Sequence, residues 1–181
     1  MAFYRQVGEV PPKRHTQFRK PDGGLYYEEL MGEEGFSSDS SLLYHAGVPS
    51  AIVDSQVWEL PDLATVPNHP LTPRHLKLHD LFTETSKANP VEDRRLVLGN
   101  GDVLMSYVVA EQPSPYYRNG IGDECVYVEK GSATVETVFG VLHAVQGDYV
   151  IIPRATTHRW IPGAEGVSAY CIEGNSHIAP P

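Results

Sequence analysis

With 181 residues, 41% of them hydrophobic and 20% charged, the chain has the length and balance of one globular domain with a sizeable core. A formal net charge of −9, from 14 Lys and Arg against 23 Asp and Glu, argues against a protein that tracks nucleic-acid phosphates or is drawn to an anionic membrane surface. No apolar run approaches the ~20 residues that span a bilayer, and the opening MAFYRQVGEVPPKRHTQFRK lacks the apolar core of a secretion signal, so a cytoplasmic address is expected.

Residues 1–24 are basic and proline-bearing, with PDGG as a turn, and read as an extended arm. In LYYEELMGEEGFSSDSSLLYH the first part predicts one or two helical turns before Gly32, followed by a loop over Ser37–Ser41. AIVDSQVWEL, where β-branched residues roughly alternate with polar ones, predicts the first strand. Pro61–Pro90, rich in proline and histidine, predicts a long loop with a short helix around Leu78–Thr85; a loop of that length is usually functional or packed on a partner.

From Arg94 onward the pattern is regular. RRLVLGNGDVLMSYVVAE predicts a strand pair around GNGD. CVYVEKGSATVETVFGVLHAVQGDYVIIP predicts four short strands separated by EKG, FG and QGD, and HRWIPG and VSAYCIEG supply two more. Six or more antiparallel strands with tight turns imply an all-β sandwich or small barrel. The order resembles the cupin fold, a small jelly roll. The division expected is 1–49 as arm, loop and short helix, and 50–181 as a cupin-like domain. Cys125 and Cys171 fit reduced, buried thiols better than a disulfide framework, although their pairing stays open.

Cupin metal sites draw ligands from two segments: a His-x-His pair followed by a glutamate, and a histidine that follows a proline. Alternation along a strand points both imidazoles of such a pair to one face. In this chain Gly147, Pro153 and His158 stand at the spacing of the second segment. In the first, YRNGIGDECVYVEKG places Glu124 and Gly131 well, but Arg118, Asn119 and Gly120 stand where the histidine pair belongs. One carboxylate and one imidazole hold a transition metal poorly. Glu124 and His158 therefore read as a degenerate metal site: His158 a core or rim histidine, Glu124 exposed or paired with Arg118 or Arg154. His75 and His79, four apart, could share a helix face, but without a third ligand in register they read as solvated or packing residues. In PSPYYRNG, the residues Tyr116, Tyr117, Arg118 and Asn119 could contact a phenolic or carboxylate ligand, or pack as a tyrosine-rich loop. There is no Gly-rich phosphate loop and no GxSxG elbow.

The run YRQVGEVPPKRHTQFRKPDGGLYYEELMGEEGFSSDSSLLYHAGVPSAI is similar to the opening of bacterial homogentisate 1,2-dioxygenases, and GDECVYVEKG, GDYVIIPRATTHRW and AYCIEG follow the same family. That resemblance implies the N-terminal cupin half of a two-half enzyme, with Fe(II) held by two histidines and a glutamate in the C-terminal half, so that no iron ligand is carried over to this chain and none is expected to be bound by it. It further implies oxygen-dependent cleavage of a small aromatic substrate in tyrosine and phenylalanine catabolism, a homo-oligomer (trimer or hexamer), and a scaffold role for this half, inactive alone. PYYRNGIGDE resembles a worn copy of the run ahead of the family's ligand glutamate, with Tyr116, Tyr117, Arg118, Asn119 and Glu124 matching in kind. Two alternatives stay open: a stand-alone cupin metalloenzyme using Glu124, His158 and His143 or a loop histidine, and a metal-free binding or assembly module.

Overall fold

Cross-strand pairing, not helical periodicity, decides the segment after the basic arm. The computed structural model describes residues 18–32, 37, 40–59, 62–82 and 87–179. They fall into two units, one reaching to Glu59 and the other running from residue 62 onward. Most of the predicted arm, part of the Ser37–Ser41 loop and the end of the predicted 78–85 helix lie outside the described residues.

In the first unit β1 (Tyr27–Gly32) pairs antiparallel with β2 (Ser40–His45). This corrects the helical expectation for LYYEELMG. A one- or two-turn helix bears the full cost of nucleation, whereas the hairpin sets Leu30 opposite Leu42 and joins Glu29 to His45 Nε2 at 2.8 Å. The strand expected in AIVDSQVWEL does not form over residues 51–59. Ile52, Val53 and Val57 are 84%, 98% and 91% exposed. Strand propensity without a neighbouring ladder leaves extended chain, not sheet.

The second unit begins with irregular chain and one helical turn, α1 (Leu78–Leu81). Then come β3 (Arg95–Gly99), β4 (Val103–Ala110), β5 (Asp123–Thr137), β6 (Gly140–Val145), β7 (Tyr149–Ile152) and β8 (His158–Gly174). The sheet order is β3-β4-β8-β5-β6, with β7 also on β5, every pair antiparallel. The all-β expectation is met, and a jelly-roll sandwich fits this order, although the pairing closes no barrel among the described residues. The predicted β3–β4 hairpin forms where Asn100 Oδ1 accepts the N–H groups of Asp102 and Val103, both at 2.8 Å. No helix among the described residues is long and apolar enough to cross a membrane.

Two expected breaks are absent. EKG does not end a strand but lies inside β5, and HRWIPG and VSAYCIEG belong to one strand, β8. Register shifts occur instead between Val128 and Lys130 and between Gly131 and Ala133. Gly131 has φ +77°, and a Cβ there would lie 2.1 Å from the Gly166 carbonyl oxygen. Glycine therefore lets β5 and β8 bend together while staying paired.

Alternation sorts the side chains onto two faces. Val108 and Ala110 of β4, Val126 and Val128 of β5, and Ala169 and Cys171 of β8 join the buried core. Tyr107, Tyr127 and Tyr170 stand on the opposite face of the same strands.

Candidate functional site

The inner face ends in a polar cluster. Glu124 of β5 and Glu173 of β8 are direct cross-strand partners. Two carboxylates brought together away from water need a counter-charge, and Arg94 supplies it. Its Nη2 donates to Glu124 Oε2 at 2.8 Å, its Nη1 to Glu173 Oε1 at 3.2 Å, and its Nε to the Pro90 carbonyl at 2.9 Å. The side chain of Arg94 is 8% exposed and that of Glu124 1%. The turn before β3 fixes the arginine: Asn89 Oδ1 accepts the N–H groups of Val91 and Glu92, and Asp93 Oδ2 accepts that of Asn89.

Asn119 closes the other side. Its Nδ2 donates to Glu173 Oε2 at 3.2 Å and to Glu124 Oε1 at 3.4 Å, while its Oδ1 accepts the N–H groups of Ile121 and Gly122. Gly122 permits this turn, because a Cβ there would meet the Gly174 carbonyl oxygen at 2.1 Å. Tyr117 lies between the carboxylates and His158. Its side chain hydrogen-bonds Glu124, its ring faces the Arg94 guanidinium at 5.8 Å, and it meets the His158 imidazole edge-on at 5.4 Å.

The electrostatics follow from burial and from these contacts. Burial alone would pull the Arg94 guanidinium down, but Glu124, Cys171 and Glu173 reverse that, and the group is held protonated beyond ordinary arginine. Burial raises Glu173 above the usual carboxylate range, while Arg94 works against the rise. Burial also raises the Tyr117 phenol and pushes the Cys171 thiol up to about 11. His158, 1% exposed, is lowered by burial, against opposing contributions from the Thr156 carbonyl and Glu124. Its Nδ1 lies 3.0 Å from the Thr156 carbonyl oxygen. A carbonyl only accepts, so Nδ1 carries the proton and Nε2 is a bare acceptor. That Nε2 has no hydrogen-bond partner among the described residues, and neither do Thr156 Oγ1 or Trp160 Nε1.

This arrangement corrects the pairing expected for Glu124, which is neither exposed nor bound to Arg118 or Arg154 but bonded to Arg94. Of the PYYRNG residues, alternation turns Tyr117 and Asn119 inward. Tyr116 is 67% exposed beneath Arg159, and Arg118 is exposed, its Nε donating to Thr157 Oγ1. His143 is exposed on β6 beside Thr134, so it does not join Glu124 and His158. His75 precedes α1 rather than sharing a helix face with His79. Sequence reasoning missed Arg94 and Glu173. A glutamate two residues after Cys171 in an alternating strand was a readable signal; for Arg94 there was none.

The donor set does not fit Fe(II). The carboxylates of Glu124 and Glu173 both engage a guanidinium, and no group of three His, Cys, Asp or Glu among the described residues is placed to hold a metal.

No family model matches the chain. It is 33% identical over 188 residues to a Saccharolobus solfataricus protein named "Putative dioxygenase", a match that takes in 99% of this chain and 46% of that one. The chain thus spans about half the length of this curated relative. Among solved structures it is similar to a cupin-2 domain containing protein from Shewanella frigidimarina, at 18% identity and TM-score 0.46 over 55% of this chain and 93% of that one. It is also similar to KdgF from a Halomonas species, at 17% identity and TM-score 0.43 over 46% of this chain and 78% of that one. At these TM-scores the all-β assignment rests on the strand order itself.

Proposed function

We propose that the chain is the scaffold half of a ring-cleaving dioxygenase of the homogentisate 1,2-dioxygenase type. In this reading a C-terminal cupin half holds Fe(II) and cleaves a small aromatic substrate with O₂, as part of tyrosine and phenylalanine catabolism in the cytoplasm. The present half contributes walls, excludes water and builds contacts in a homo-oligomer. The observation that carries this reading is the Arg94–Glu124–Glu173 triad. It supplies a fixed cation where Glu124 would otherwise ligate, and so ties both carboxylates of the inner face into a structural core. The extended similarity to about half of a dioxygenase-named relative supports the same division of labour.

The test is metal analysis and oxygen uptake. Purified 1–181 is expected to carry no stoichiometric iron and to consume no O₂ with homogentisate, whereas co-expression with a histidine-rich second cupin half brings both. Stoichiometric iron in 1–181 that disappears in His158→Ala or Glu124→Gln would refute the scaffold reading in favour of a stand-alone metalloenzyme.

A further inference from the structure

The opposite face of the same strands carries an assembly that the scaffold reading does not use. Tyr107 of β4 is the direct partner of Tyr170 on β8, Tyr170 of Tyr127 on β5, and Tyr127 of Tyr149 on β7. Four tyrosines thus stand in register across four adjacent strands. The Tyr127 and Tyr149 ring centroids are 4.8 Å apart. One end of the row is covered, with Tyr107 2% exposed beneath the stacked ring of Phe82; the other is open, with Tyr149 67% exposed.

The segment His75–Phe82 passes over this row and leaves a groove in two adjoining parts, of about 520 Å³ and about 660 Å³. Both parts share His79, Tyr107 and Glu129. Glu129 lies at the register shift between Val128 and Lys130, where β5 leaves it without a ladder partner. Bulges of this kind re-aim side chains beside binding sites. Its carboxylate accepts the Tyr107 hydroxyl on one oxygen and faces His79 Nδ1 at 3.4 Å with the other. The long histidine-bearing loop and its His75 and His79, left without a role by the inner site, therefore end beside one aromatic floor and one carboxylate.

We propose that this groove binds a planar, single-ring aromatic compound bearing a hydroxyl group. Each part has the volume of a small-ligand site. The rings of Tyr107, Tyr127 and Tyr170 along the 520 Å³ part favour a flat ring over an aliphatic one of equal size. Glu129 keeps acceptor sites beyond those turned to Tyr107 and His79, and a ligand hydroxyl can donate to them. Lys77 and Lys130, one lining each part, oppose an organic cation despite the aromatic surroundings. The site is separate from the inner cluster and does not depend on iron or on a second half.

The test is a nuclear magnetic resonance titration of the full chain with four probes: phenol, toluene, cyclohexanol and tetramethylammonium. Phenol is expected to shift Tyr127, Tyr170 and His79 signals with a dissociation constant of about 1 mM, the range open to so small a ligand. Tyr170→Leu should weaken it about fivefold, and Tyr127→Leu provides the same reading if the first variant loses its fold. Glu129→Gln should reduce the preference for phenol over toluene. Equal shifts from cyclohexanol, tighter binding of tetramethylammonium, or phenol shifts unchanged in the tyrosine variants would each overturn the proposal.

Discussion

Replacing Arg94 by methionine tests whether the inner cluster is held by its cation. Methionine keeps an unbranched apolar stem, so the change removes chiefly charge and hydrogen bonds. What remains is Glu124, 0% exposed and directly opposite Glu173, without the guanidinium that reaches both at 2.8 and 3.2 Å. Stranding a buried charge in this way costs about 3–5 kcal/mol. For a chain of this length that corresponds to a fall of about 6–20 °C in Tm. Urea unfolding followed by tryptophan fluorescence at pH 7.5 measures the cost directly. The Arg94→Met/Glu124→Gln double variant should recover more than about 1 kcal/mol of it, because the stranded charge is gone. The deficit of the single variant should also shrink as pH falls, because protonation of the carboxylates removes the repulsion. A single-variant cost below about 1 kcal/mol, or a double variant less stable than the single, would refute the view that the cation organises this face.

His158 gives a pH-dependent prediction. Its folded-state pKa is lowered by burial, so its contribution is full above the ordinary histidine value of ~6.5 and is lost as pH falls from there toward the lowered value. His158→Gln should therefore flatten the stability profile relative to wild type below about pH 6.5, by up to ~1.4 kcal/mol per pH unit. The raised Glu173 contributes with the opposite sign, and the difference between the two profiles cancels it because Glu173 is common to both proteins. Tyr117→Phe removes the hydrogen bond to Glu124 while keeping the ring against His158 and should cost about 2 kcal/mol in urea melts; an unchanged midpoint would deny that bond any weight. Gly131→Ala places a Cβ 2.1 Å from the Gly166 carbonyl at φ +77°. It should lower the unfolding midpoint by the equivalent of at least ~3 kcal/mol, and a variant of wild-type stability would show that the β5–β8 bend can relax.

Much of this architecture could be read from local pattern. Apolar alternation predicts the strands after Arg94, GNGD predicts the β3–β4 hairpin, and spacing singles out Glu124 and His158, because each depends on residues a few positions apart. Failures came where competition between distant segments decides the outcome. LYYEELMG has helical spacing but finds a partner strand, AIVDSQVWEL has strand composition but finds none, and EKG resembles a turn yet becomes a bulge because β8 bends beside it. The two polar assemblies were beyond the sequence alone. Arg94 is 30 residues from Glu124 and 79 from Glu173. The four tyrosines, about twenty positions apart, fall into one row only through the registers of β4, β8, β5 and β7. Local propensity specifies which residues can face inward or outward on a strand. Which charges and rings then meet is set by register, and register is fixed only when all the strands pack against one core.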